Sequence, residues 1–169
     1  MSSNTNSNDD QLEYAIKNLE CLHEWIGRYD NKLIIILGID TAMLGALVSL
    51  VPPFQVWTPI MILLVIGTII ALGASFVFLY MGSYPRTSGP EKSLWYFESI
   101  SKMKYSEYEK TYLTRTKNEH LIDVLKQCYR NSEILSLKFF YLKWAYIALL
   151  VSVFTWVITI FLFKNIKTI

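Results

Sequence analysis

The chain has 169 residues, 53% of them hydrophobic and 18% charged, with a formal net charge of +2. Its mean hydropathy is +0.31. The apolar residues crowd into three blocks, which excludes a soluble core of ordinary amphipathic elements, and the basic residues between the blocks are balanced by acids, which excludes nucleic acid as a partner. Cys21 and Cys128 lie outside the blocks and fit no metal-ligand spacing and no secreted disulfide framework. Both are expected to be buried, reduced structural thiols.

Met1–Asp10 is rich in Ser, Asn and Asp and lacks the basic start of a signal peptide. Residues 1–8 read as a disordered tail. Asp9–Asp30 reads as an amphipathic helix with Asp10 and Glu13 at its start. Leu12, Ile16, Leu19, His23 and Ile26 step by 4 and 3 and draw one stripe. Gly27 weakens this helix by only about 1 kcal/mol relative to Ala. The helix over 9–32 is therefore expected to start in water and run on into the first apolar block.

That block, Leu33–Val51, is about as long as a membrane span needs, roughly 20 residues. It is apolar on every face except at Asp40. A carboxylate at that depth costs about 2.5–3.5 kcal/mol on insertion scales. Pro52 and Pro53 end the span. Phe54 and Trp57 suit the headgroup level, and the connector carries no charge. Span two follows at Thr58–Met81, with Pro59 in its first turn. Gly82-Ser83-Tyr84-Pro85 breaks it.

Residues 82–143 form the largest polar section. Gly82–Lys104 reads as irregular, with Leu94-Trp95-Tyr96-Phe97 as an apolar knot. Ser106 with Glu109 and Thr116 with Glu119 form two capping boxes, the first opening a short helix and the second a long one. Leu121, Leu125, Cys128, Ser132, Leu135, Phe139 and Leu142 make a second stripe by steps of 4 and 3. No proline or glycine then interrupts the chain through span three, Trp144–Phe163, before a tail at 164–169. At about 1.5 Å per residue this helix reaches roughly 70 Å, more than twice the hydrocarbon core, so its first half stands in water. The fold class expected is an all-α membrane protein with three transmembrane helices, the first and third extended into a cytosolic helical stalk. Packing the two stripes on each other buries both, within one chain or between chains.

The connector after span one has no Lys or Arg, whereas Gly82–Leu142 has ten. The positive-inside rule therefore places the N-terminus and the long section in the cytoplasm. Lys164 and Lys167 oppose this but are outnumbered. Gly38, Ala42 and Ala46 line one face of span one, with Gly45 and Ser49 beside them. Ala145, Ala148, Ser152, Thr155 and Thr159 line one face of span three. Small and hydroxyl residues let helices approach closely in lipid, within a chain or between subunits. No span offers Asp40 a basic partner. It is protonated, hydrogen-bonded to a hydroxyl such as Thr155 or Ser152, or faced onto an aqueous path formed by oligomers. Asp40, Gly38, Ala42, Ser152 and Thr155 are thus the candidates for a pore or an assembly face. No catalytic, phosphate-binding or zinc motif is present, and His23 and His120 join no triad. The chain reads as a non-enzyme without cofactor or metal.

Three features resemble the transmembrane effectors of the Pycsar antiphage system, which pair with a bacterial pyrimidine cyclase. The first is His23-Glu24-Trp25-Ile26 through Tyr29-Asp30-Asn31-Lys32, running into an apolar stretch with Leu37-Gly38. The second is Pro85-Arg86 after span two, followed by Tyr96-Phe97-Glu98-Ser99-Ile100 and Tyr105-Ser106-Glu107-Tyr108. The third is the long helix with Asn131-Ser132 and Lys138 before the last span. The likeness covers about Leu12–Leu162. Leu33-Ile34 replaces the family's small residues after the lysine, and Asp40 is not a family feature. The resemblance implies a homo-oligomer in the bacterial inner membrane that senses cyclic CMP or cyclic UMP and halts the infected cell by impairing that membrane.

A cyclic pyrimidine mononucleotide presents one phosphodiester, a ribose and a flat base. Arg and Lys suit the first and an aromatic ring the last. On this reading Lys32, Arg86 and Lys138 meet the phosphate where the stems leave the bilayer. Tyr96 or Phe97 stacks the base, and Asp30 or Asn131 reads its polar edge. The alternatives are a membrane anchor whose stalk holds a partner protein, and a small constitutive channel.

Overall fold

The computed structural model describes the backbone of residues 3–166 and the side chains of residues 10–165. Met1 and Ser2 of the expected tail, and Lys167 of the expected C-terminal tail, lie outside the described residues. The chain forms α1 (Ser3–Leu50), a 3-10 turn (Phe54–Val56), α2 (Pro59–Ser83), α3 (Phe97–Ser101), α4 (Tyr105–Thr114) and α5 (Lys117–Ile166). No strand occurs among the described residues. α1, α2 and α5 are long and apolar enough to cross a membrane.

The helix ends follow local chemistry. α1 begins at Ser3, ahead of the start read at Asp9; Ser, Asn and Asp are weak helix formers rather than breakers. Thr58 caps α2 by accepting from Met61 N at 3.4 Å, with Pro59 in the first turn. α5 opens on the capping box read from the sequence. Glu119 accepts from Thr116 N at 2.7 Å and from Thr116 Oγ1 at 2.8 Å, and Thr116 Oγ1 accepts from Glu119 N at 3.3 Å. The backbone and side-chain hydrogen bonds from Thr116 hold the Glu119 carboxyl below its ordinary range. That contribution is complete above the unfolded value and is lost as the pH falls through the folded one.

The other box is corrected. α4 starts at Tyr105, one residue before Ser106, and Lys104 at its cap makes no side-chain bond. Lys104 O instead takes the N–H groups of Glu107 and Tyr108. The stretch read as irregular contains α3, whose first turn closes through Ile100 N on Tyr96 O.

The chain divides into two compact units. The first holds Met1–Arg28 and Pro85–Leu137, the second Tyr29–Tyr84 and Lys138–Ile169. In the first unit the α1 stripe meets α5 within the chain: Ala15 and Leu19 bury against Leu121, Val124 and Cys128. The buried α5 face differs from the stripe read in the sequence. Val124 and Asn131 are inside, while Leu125 is half exposed and Ser132 exposed. A stripe of steps 3 and 4 fits two rotations of a 3.6-residue helix equally well, and the partner's shape selects one.

The cysteines are free thiols, and Cys21 is exposed rather than buried. The Cys128 thiol lies 3.5 Å from Ala15 O, and burial pushes its pKa up. Maleimide at mildly alkaline pH is expected to label Cys21 quickly and Cys128 slowly. Equal rates would show that the α1–α5 seam opens freely.

In the second unit, Tyr29, Ile36, Met43, Leu72, Leu79, Leu142, Ala145 and Leu149 form one core. Leu47, Met61, Val65 and Phe163 form another. The connector folds onto itself: Trp57 Nε1 donates to Pro52 O at 3.0 Å, and Phe54 stacks on Trp57. α1 and α5 run parallel here, since Asp30 meets Lys138 and Met43 O accepts from Trp156 Nε1 at 2.9 Å.

Candidate functional site

The first unit is organised by a loop laid against α5. Asp123, nearly buried, accepts from Leu94 N at 2.8 Å and from Arg115 Nη1 at 2.6 Å. Arg115 Nη2 donates to Lys92 O at 2.8 Å. Ser93 Oγ accepts from Gln127 Nε2 at 3.0 Å and from Trp95 N at 3.1 Å. Arg130 completes the clamp, donating from Nε to Ser88 O at 2.8 Å and from Nη2 to Ser88 Oγ at 2.6 Å, with Glu133 at 3.0 Å from Nη1.

The clamp leaves an open groove of about 580 Å³ between Ser88-Gly89-Pro90 and the α5 face of Ile122, Leu125, Lys126, Tyr129 and Arg130. That size falls in the range of small-molecule sites. Its floor is apolar, with Ile122 and Leu125 about half exposed. Tyr129 keeps 69% of its surface open. The Lys126 ammonium makes no hydrogen bond or ion pair among the described residues. Arg130 spends three N–H groups on Ser88 and Glu133 and, with five donors, keeps two. An anion with a flat apolar part fits such a surface: charge at Lys126 and Arg130, a face at Tyr129.

The residues proposed from the sequence fall into two groups. Arg86, Tyr96, Phe97 and Asn131 belong to the first unit; Asp30, Lys32 and Lys138 belong to the second. Tyr96 is buried, with its ring lying over Gly89, where a Cβ would overlap it. Its hydroxyl donates to Thr87 O at 2.5 Å, and burial raises its pKa, so it braces the loop. Phe97 is exposed. Asn131 Nδ2 lies 3.3 Å from His23 Nε2, and Arg86 is half-buried. In the second unit Lys138 Nζ donates to Asp30 Oδ1 at 3.0 Å and lies over the Tyr29 ring, while Lys32 lies over Phe139. Lys126 and Arg130 enter the sequence reading only among the ten basic residues of Gly82–Leu142, and Tyr129 not at all. Their signal is an i, i+3, i+4 cluster of two cations around a tyrosine on one helix face.

Deeper in the second unit, Asp40 is fully buried. Its partner is neither Thr155 nor Ser152. Asp40 Oδ2 accepts from Ser75 Oγ on α2 at 2.6 Å, and Ser75 Oγ also lies 3.4 Å from Ala145 O on α5. Asp40 Oδ1 has no hydrogen-bond partner. Thr155 and Ser152 turn elsewhere: Thr68 Oγ1 donates to Thr155 Oγ1 at 2.9 Å, and Ser152 Oγ donates to Leu149 O at 2.8 Å. Ser75 and Thr68 were not singled out in the sequence. Their signal is the 4-and-3 stepping of Met61, Val65, Thr68, Leu72, Ser75, Leu79 and Gly82, which marks the buried face of an otherwise uniformly apolar helix.

Gly38 and Ala42, read as a packing face, are exposed with Gly45 and Ser49. They lie opposite the buried line Ile36, Asp40, Met43 and Leu47.

The Pycsar effector protein domain is the family whose model matches, over residues 14–163. No curated protein and no solved structure matches the chain.

Proposed function

This chain belongs to the Pycsar effector protein domain family of antiphage effectors and is built as a membrane protein, and on that premise we propose that it senses a cyclic pyrimidine mononucleotide and impairs the bacterial inner membrane to abort infection. The ligand is cyclic CMP or cyclic UMP, supplied by a pyrimidine cyclase. The N-terminus and the long polar section face the cytoplasm in this reading, which the ten basic residues of Gly82–Leu142 support.

One observation carries the sensing reading: the uncommitted Lys126 beside the open Tyr129 ring, over an apolar floor. Lys126 and Arg130 supply charge-assisted donors to a phosphodiester. Tyr129 supplies a stacking face to the base. The ligand also reaches Ser88, whose backbone Arg130 holds, so binding and loop position are coupled. To act as a switch it must favour one arrangement of the loop by a few kcal/mol. The exposed small face Gly38, Ala42, Gly45 and Ser49 supports homo-oligomer assembly in lipid.

Calorimetry on the full chain in detergent tests this. One cyclic pyrimidine nucleotide is expected to bind, while cyclic AMP and cyclic GMP do not. Lys126→Ala and Arg130→Ala should each weaken binding roughly ten- to a hundredfold, as about 1.5–3 kcal/mol per charged hydrogen bond implies. Arg86→Ala serves as the comparison: a larger loss there would return the site to the residues first read from the sequence. In cells, growth should stop only when the cyclase is active. Failure to bind either pyrimidine nucleotide, or arrest without a cyclase, would overturn the reading in favour of an anchor or a constitutive channel.

A further inference from the structure

We infer that the interior of the three spans is the seat of a cation-selective path, with Asp40 as the group that selects the ion and the Asp40–Ser75–Ala145 junction as its closed gate. This rests on the reading of the chain as a membrane-impairing effector, and names the ion class that the damage admits.

Five polar side chains of the second unit have almost no exposed surface: Asp40, Thr68, Ser75, Ser152 and Thr159. The hydroxyls of Ser152 and Thr159 spend their protons on carbonyls of their own helices, Leu149 O and Thr155 O, each at 2.8 Å, and the Thr155 hydroxyl that accepts from Thr68 turns its own proton back to Ser152 O at 3.1 Å. A hydroxyl that donates backwards in this way keeps its lone pairs for other donors. Ser75 donates to Asp40, and Asp40 Oδ1 is buried with no donor at all. No Lys or Arg lies in Leu33–Val51, Thr58–Met81 or Trp144–Phe163. The polar surface inside the spans is therefore rich in acceptors, with no fixed positive charge. Oxygen acceptors with one acid replace a cation's hydration and repel an anion, which is how acid rings select in channels.

Packing alone does not account for Asp40. An asparagine or serine would bond Ser75 without a carboxylate's insertion cost. In the closed junction the Asp40 carboxyl is fully buried and has one partner. Separating α2 from α1 breaks the Ser75 bond and admits water, which supplies the hydration an ionised carboxylate needs.

The test is the reversal potential of the reconstituted full chain under a potassium chloride gradient, with cyclic CMP and then cyclic UMP added. Wild type should pass a nucleotide-triggered current whose reversal lies toward the potassium limit. Asp40→Asn keeps the Ser75 bond but not the charge. It should bind nucleotide as wild type does while its reversal potential moves toward zero. Asp40→Glu should hold the wild-type value. Ser75→Ala removes the latch and keeps the acid, so it should leak cations without nucleotide, and it serves as the test if Asp40→Asn does not fold. An unchanged reversal potential in Asp40→Asn, or a Ser75→Ala leak carried by chloride, would overturn this inference and leave membrane impairment standing. Nucleotide binding without any wild-type current would overturn both.

Discussion

Replacing Asp123 by alanine is expected to cost about 3–5 kcal/mol, the range for stripping one partner from a buried ion pair. Asp123 Oδ2 is shared between Leu94 N and Arg115 Nη1. The Asp123 side chain is 6% exposed and that of Arg115 19%, so water replaces neither bond well. With the carboxylate gone, a buried amide and a guanidinium both lose their acceptor. Of the loop's hydrogen bonds to α5 described above, Ser93–Gln127 and Arg130–Ser88 then remain. Trypsin should cut early after Lys92 and Lys102, and nucleotide binding should fall, because the Ser88–Pro90 wall of the groove belongs to the same loop. Asp123→Asn keeps one acceptor oxygen and should fall between. An alanine variant that resists trypsin as wild type does would show that the apolar contacts of Leu94 and Tyr96 hold the loop without the ion pair.

That loop shows what the sequence could and could not carry. The knot Leu94-Trp95-Tyr96-Phe97 was legible as apolar, and its alternation was there to be read. Leu94 and Tyr96 are buried, while Trp95 and Phe97 are exposed. Which pair turns inward depends on where Asp123 and Ser93 take the backbone, and those partners lie about thirty residues apart or on the loop itself. The spans, their breaks and the Thr116–Glu119 box were legible because each is settled within a few neighbouring residues. The groove proposed for the nucleotide was less so. Cations at the mouths of the spans are the ones the sequence brings forward, and of the residues named with them Asp30, Lys32 and Lys138 fall in one unit and Arg86, Tyr96, Phe97 and Asn131 in the other. The 4-and-3 stripe places Leu125 in the α1–α5 seam, whereas in the structure Leu125 is half exposed and shares its face with Tyr129. One step of helix rotation separates those two readings.

Asp40 shows the same limit. Its lack of a basic partner was plain, and three environments stood open to it; the structure shows a hydroxyl bond, to Ser75 and not to Thr155 or Ser152. Ser75 was overlooked because α2 is apolar on every face. In such a helix one hydroxyl carries the orientation that an amphipathic pattern carries elsewhere.

Gly82→Ala is expected to disturb the second unit well beyond one methyl group. A Cβ at position 82 would overlap Tyr29 Oη and press on Tyr141 Cβ. Tyr29 has no exposed surface, meets Phe139 edge-on at 5.8 Å between centroids, and lies under Lys138 Nζ at 4.6 Å. Its ring therefore has little room to retreat. Overpacking of this kind costs about 1–3 kcal/mol. A displaced Tyr29 also takes away the face on which Lys138 rests while it holds Asp30. The cost should appear as a lower melting temperature in detergent. Tyr29→Phe deletes the oxygen that the new methyl would meet, leaving Cζ at 3.5 Å and Tyr141 Cβ at 3.3 Å as its nearest neighbours. Gly82→Ala should then cost much less in the Tyr29→Phe background than alone, a coupling of about 0.5–3 kcal/mol in a double-mutant cycle. Additive losses would mean that α2 shifts as a body to admit the methyl, and that Tyr29 is not what fixes its last turn.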